Sequence, residues 1–312
     1  MKGLELAEKF YYEYGEGMLK EQFPHLMDKI AVGLVGSGSE CYGYDDEVSK
    51  DHDFEPGFCI FIPDEKVVDS RECFKLERAY SKLPKEYMGY KRSAFNPVGG
   101  NRHGVIRISE FYEKKVGNCL GQLSVPEWFT LPEHYLAEVT NGKIFYDGYG
   151  LFTNIRNGLL QYPSDIRLKK LAGNLLLMAQ TGQYNYARCI AHGDSAAAQL
   201  CVCEYVKCAI NALFLLCGKY QPFYKWAFRA LKELPAGDIA GKLEFLISTP
   251  NDAQIKDKKV DVIEYVAFKV IEMLKEQGLT DAVCGDLEKH AYSVNDKIID
   301  VSIRNADIFA AV

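Results

Sequence analysis

The sequence predicts an α+β protein in two parts, with short strands and helices alternating through residues 1–149 and an all-α domain over residues 150–312. Three observations carry this. Short apolar runs bounded by glycine and proline occur only in the first half; the hydrophobic period changes often there; and the second half holds long runs of three- and four-residue spacing. A length of 312 residues fits two cores better than one, because single domains are commonly about 150 residues.

The opening "MKGLELAEKFYYEYGEGMLKEQF" reads as an amphipathic helix with scattered glutamates, which excludes the continuous apolar core of a secretory signal. "KIAVGLVGSGS" is a short strand ended by glycines, and "FCIFIP" from Phe58 to Pro63 is a second. Helical spacing runs from Asp64 to Leu83, and "HGVIRI" follows the loop "FNPVGGNRHG" as a third strand. Ser109 is placed to cap a helix through "EFYEKKVG" that stops at Gly117. A helix from about Pro126 and the strand "KIFYDG" complete the first part. In the second part Val202, Val206, Ala209, Leu213 and Leu216 form one apolar helix face, with Glu204, Lys207 and Asn211 on another. Further helices are expected from about Val260 to Gln277 and from about Asp286 to the end, with Pro222, Pro235 and Pro250 marking connections.

Composition narrows the functions. A net charge of -6 argues against a default binder of DNA or other polyanions, whose affinity comes from lysine and arginine replacing counterions. The longest apolar run, Ala209 to Cys217, is about half a membrane span and contains Asn211, so no membrane partner is expected. Ten cysteines without framework spacing point to reduced thiols and a cytoplasmic location. Cys201 and Cys203 face different directions on a helix, so with Cys208 they read as small buried hydrophobes rather than a zinc site.

The stretch "GSGSECYGYDDEVSKDHDFEP" carries seven carboxylates against one lysine, beside a glycine turn. Three motifs fail on it. A dinucleotide fingerprint would need glycine at Cys41; a P-loop would need Gly-Lys-Ser/Thr; an EF-hand starting at Asp51 would put Pro56 at the invariant glycine. Asp51 and Asp53 are two residues apart, so in extended chain their carboxylates leave one face, as a divalent cation shared with phosphates requires. Gly36 and Ser37 offer a turn that approaches phosphate oxygen closely. Glu40, Asp45, Asp46 and Glu47 could turn inward toward a cationic substrate or a second metal, but most of them read as an exposed loop, and His52 as structural.

Gly36, Ser37, Gly43, Ser49, Asp51 and Asp53 together resemble the motif of the nucleotidyltransferase superfamily of the DNA polymerase β type: strand, Gly-Ser, a later Gly, then Ser and Asp-x-Asp before the next strand. "PEWFTLPEHYLAEVTNGKIFYDG", "GQYNYARCIAHGD" and "YQPFYKWAFRALKELP" extend the likeness to a bacterial family in which this head is joined to a helical domain of uncharacterised function. The resemblance implies a small mixed sheet flanked by helices, Mg2+ held by Asp51 and Asp53, and phosphate contacts from Gly36, Ser37, Ser39, Gly43 and Ser49. It also implies a third carboxylate, for which Glu110 is the candidate although "HGVIRIS" itself carries none. In the helical part Lys225 is a candidate triphosphate contact, and Glu204 a candidate general base, as in the antibiotic nucleotidyltransferases this architecture resembles.

The expected function is magnesium-dependent transfer of a nucleoside monophosphate, AMP from ATP, to a hydroxyl of an unidentified acceptor, a small molecule in preference to protein or RNA. The alternative is a catalytically inactive nucleotide sensor or regulatory interaction protein, which an unfilled third-carboxylate position would favour.

Overall fold

The computed structural model describes residues 1–47, 54–92 and 102–312. Ser49, Asp51, His52 and Asp53 lie outside the described residues. In chain order come α1 (Gly3–Phe10), a π-helical turn at Tyr11–Gly15, α2 (Glu16–Gln22), β1 (Ala31–Leu34), α3 (Ser39–Tyr42), β2 (Cys59–Ile62) and α4 (Ser70–Ser81). Next are β3 (Glu86–Tyr87), β4 (Tyr90–Lys91), β5 (Gly104–Arg107), α5 (Ile108–Val116), α6 (Val125–Thr130), α7 (Glu133–Thr140), β6 (Lys143–Asp147) and α8 (Leu151–Leu160). Only helices follow: α9 (Ser164–Met178), a π-helical stretch at Ala179–Tyr186, α10 (Ala187–Ala191), α11 (Ser195–Leu216), α12 (Tyr224–Leu231), α13 (Asp238–Ser248), α14 (Lys256–Glu276), α15 (Leu287–Asp296) and α16 (Val301–Asn305).

The protein is α+β, with a mixed four-stranded sheet ordered β5-β2-β1-β6. β1 runs antiparallel to β2 and β6, while β2 and β5 are parallel. β2 shows why "FCIFIP" is apolar throughout. Ile60 and Ile62 join Phe10, Tyr11, Leu76 and Tyr80 in a core against α1 and α4. Phe61 points the other way, onto Phe152 of α8 (centroids 4.2 Å apart) and Phe111 of α5 (5.2 Å). A strand covered on both faces needs no polar alternation.

Several boundaries differ from expectation, each for a local reason. α4 starts at Ser70 because the Asp69 side chain accepts from the Glu72 N–H, leaving 64–69 as turns. α5 starts at Ile108, with Arg107 still extended as its N-cap, so Ser109 is already inside the first turn and does not cap. Gly117 ends that helix in the left-handed conformation, φ 71°, as expected. The tail divides into α15 and α16 because Asp300 accepts from the Ser302 and Ile303 N–H groups and starts a new helix.

Contacts divide the chain into two units that are not contiguous in sequence: Met1–Leu123 with Tyr135–Gln161, and Ser124–His134 with Tyr162–Val312. α8 belongs to the first unit through Phe152 and through Asp147, whose carboxylate accepts from the Gly150 and Thr153 N–H groups. The second unit is built on α9 and α11. Val202, Val206, Ala209, Leu213 and Leu216 are all buried. α11 is long and apolar enough to cross a membrane, but 61% of its most apolar stretch is buried inside the fold, as in a core helix. Its cysteines divide: Cys208 is buried, whereas Cys203 is exposed and so is not the buried hydrophobe expected. All ten cysteines are free thiols.

Candidate functional site in the first unit

The Gly36–Ser37 turn leaves the sheet at the C-terminal end of β1. Because Gly33 pairs with Cys59 in antiparallel register, this end is also where the chain enters β2, a few residues after Asp53. β5 delivers α5 directly at Ile108, and Phe111 of the helix packs on Phe61 of β2. Glu110, Phe111, Lys114 and Lys115 of α5 share one cavity of about 290 Å³ with Gly36, Ser37, Glu40 and Arg102. The structure thus brings together three of the expected residues, Gly36, Ser37 and Glu110. Glu110 stands in the first turn of α5, not on a strand.

Gly36 shapes the turn. Its φ of 124° is closed to most side chains. Its N–H donates to Asn141 Oδ1 (2.9 Å), and Asn141 Nδ2 donates back to its carbonyl (2.8 Å). The Gly36 N–H is therefore already engaged within the fold. Asn141, 105 residues away, holds the turn in place; it lies within "PEWFTLPEHYLAEVTNGKIFYDG", where sequence reading assigned it no site role. Ser39 opens α3 and Gly43 closes it with φ 70°; neither lines the cavity.

The acidic stretch does not behave as one exposed loop. Asp46 and Glu47 are exposed, but Asp45 is 3% exposed and its Oδ2 accepts from the Gly3 N–H at 3.0 Å. Glu40 turns back over the glycine turn, so that a Cβ at Gly38 would lie 2.3 Å from its Oε1. That oxygen is closed to solvent and has no hydrogen-bond partner. Burial pushes the Glu40 carboxyl above its ordinary 4.5.

The folded protein therefore keeps the Glu40 proton at pH values where the unfolded chain has lost it. This contribution to stability is complete below pH 4.5 and is lost as the pH rises through the folded-state value. Glu40→Gln, which keeps the shape without the charge, is expected to raise the neutral-pH melting temperature by about 2–4 °C and to flatten the fall above pH 4.5. Thermal unfolding of both proteins across pH 4 to 8 measures this.

The cationic side of the cavity comes from Arg102, Lys114 and Lys115. Lys115 is held by an ion pair to the buried Glu138, which fixes its position. Cys41 also lines the cavity, and burial pushes its thiol well above the ordinary range. Among the described residues no group of three or more His, Cys, Asp or Glu side chains could hold a metal ion.

Glu204 and Lys225 belong to the second unit. Glu204 pairs with Lys207 at 3.2 Å, one turn along α11. Lys225 is exposed, with its ammonium 4.3 Å from the Trp226 ring centroid.

Residues 128–227 match the model of a domain of unknown function, DUF4037. Comparison with curated proteins found no match.

Proposed function

We propose that the chain is a magnesium-dependent nucleotidyltransferase that moves AMP from ATP to an acceptor hydroxyl. One observation carries this: the Gly36–Ser37 turn, Glu110 and three cationic side chains meet in a single cavity at the end of the sheet where the chain enters β2. The mixed sheet flanked by helices supports it, since it is the arrangement the nucleotidyltransferase resemblance implies. Residues of the first unit alone bear the proposal.

Within it Ser37 contacts a phosphate, and Arg102 and Lys114 offset phosphate charge. Asp51 and Asp53 would hold magnesium, with Glu110 as the third carboxylate. The described carboxylates do not form a metal cluster without that aspartate pair, and a magnesium ion needs only one or two protein carboxylates when phosphates complete its shell. Bound there, magnesium supplies neutralisation of the phosphoryl oxygens and a lowered pKa for the acceptor hydroxyl. Ten free thiols support a reducing, cytoplasmic setting.

One observation favours the sensor reading as the second choice: β5, Gly104–Arg107, carries no carboxylate, and Glu110 reaches the cavity only from a helix. Pyrophosphate release from ATP with magnesium, assayed with hydroxyl-bearing small molecules, separates the two. Asp51→Asn and Asp53→Asn are each expected to slow release at least about a hundredfold without lowering the melting temperature. ATP binding without release across the acceptors would support the sensor, and no ATP binding at all would overturn both.

A further inference from the structure

A second cavity, of about 470 Å³, lies entirely within the second unit. One wall is an ion pair withdrawn from water. Lys170 is 4% exposed and donates to the Leu131 carbonyl (3.3 Å) and to Glu133 Oε1 (2.7 Å). The Tyr162 hydroxyl donates to the same oxygen at 2.8 Å. Beside the pair, Asn174 is 3% exposed and accepts from the Asn211 amide at 3.3 Å. This is a built polar site in a helical core.

Its hydrogen bonding is incomplete in one sense only. Glu133 Oε2 and Gln221 Oε1 are both shut off from solvent and both lack a donor. A buried acceptor without a partner is costly, and two on residues lining one cavity point to a missing donor. Their terminal side-chain torsions are soft, so a ligand N–H can be met by a small rotation. Charge selects the ligand further. Lys170 and Glu133 neutralise each other, and Lys207 at the cavity is paired with Glu204. An anion would find Lys170 and Lys207 already paired and would leave both acceptors unsatisfied. Aromatic lining adds the last constraint: Phe223 and Tyr224, a tilted pair with ring centroids 4.3 Å apart, both border the cavity and give a flat molecule apolar surface to pack on.

We propose that this cavity binds a small, neutral, flat heterocycle carrying an amino group, whose N–H donors reach Gln221 and Glu133 while its ring packs on Phe223 and Tyr224. The site is independent of the nucleotidyltransferase proposal, because such a ligand needs neither phosphate nor metal.

The test uses the full chain without magnesium, adenine as probe and unsubstituted purine as its amino-free control. Binding is read by tryptophan fluorescence, since Trp128 stacks on Tyr162 at 5.4 Å and Tyr162 holds Glu133. Adenine is expected to bind about tenfold more tightly than purine. Gln221→Leu is expected to weaken adenine about tenfold while leaving the melting temperature unchanged or higher, because it removes an unsatisfied acceptor. Tyr224→Ala, at a position 75% exposed and so tolerant of change, is expected to weaken adenine and purine alike. The proposal is overturned if adenine does not bind at millimolar concentration, if purine binds equally well, or if both variants bind adenine as the wild type does. The last result would place adenine elsewhere, including the first-unit cavity.

Discussion

Lys259→Met is expected to destabilise the protein by about 3–5 kcal/mol, measured as a shift in the urea midpoint at constant slope. Lys259 is fully buried, and three uncharged oxygens hold its ammonium: it donates to the Leu246 carbonyl (2.8 Å), the Thr249 carbonyl (2.8 Å) and Asn251 Oδ1 (2.7 Å). Leu246 lies in the last turn of α13 and Thr249 is its C-cap, so the lysine satisfies carbonyls that the helix cannot and sits at the negative end of its dipole. Methionine keeps most of the volume but strands three acceptors, each worth about 1–3 kcal/mol when left alone. The exposed neighbour Lys258 provides the control, with an expected change within about 0.5 kcal/mol on substitution by alanine.

The pH dependence gives an independent check. Burial lowers the Lys259 pKa below the ordinary 10.5, so between the folded-state value and 10.5 the unfolded chain binds more protons. Stability of the wild type therefore gains a rising contribution as the pH climbs toward 10.5, and the methionine variant lacks it. Lys169 is a parallel case in α9, fully buried and bonded to Asn295 Oδ1, Arg304 O and Ala306 O.

Gly142→Ala is expected to cost about 3 kcal/mol or more in the first unit and to weaken any ligand of the Gly36–Ser37 turn with it. Gly142 has φ 62°, and a Cβ there would meet the Leu34 carbonyl oxygen at 2.0 Å. The neighbour is backbone of β1, two residues before Gly36, so it cannot swing aside as a side chain would. Gly142 also donates its N–H to Cys41 O (2.9 Å), and Arg156 donates to its carbonyl (3.3 Å). Relieving the clash must move either the β1–β6 pairing or the Asn141 amide that grips Gly36. Thermal unfolding and ATP titration of the variant should therefore change together. A stable variant with unaltered ATP binding would refute the link between this glycine and the turn.

How much of this was legible depended on range. The four sheet strands and the buried face of α11 were readable because their signals, apolar runs and three-to-four spacing, are local. The β3–β4 hairpin was hidden because its turn uses Met88 at φ 51° before Gly89 at φ 83°, where asparagine or aspartate would have announced it. The fates of Asp45 and Asp46 could not be told apart by composition, since Asp45 is buried by contacts to Lys2 and the Gly3 N–H, 43 and 42 residues back. The role of Asn141 and the burial of Glu40 were unreadable for the same reason: both exist only once β6 lies beside β1 and α3 folds over the turn. The Gly36–Ser37 turn was legible and Glu110's place beside it was half so, because the packing of α5 on β2 is a tertiary event.

The interrupted order of the two units bears on how the chain is born. Residues 124–134 leave the ribosome well before Tyr162, Lys170 and Phe223, the groups that Trp128, Glu133 and His134 eventually meet. Trp128 and Glu133 can meet those partners only after they are made, and Tyr135–Gln161, made in between, belongs to the earlier unit. A single cut anywhere along the polypeptide cannot yield both halves intact, and a fragment begun at residue 150 would lack the very groups that neutralise and cover Lys170.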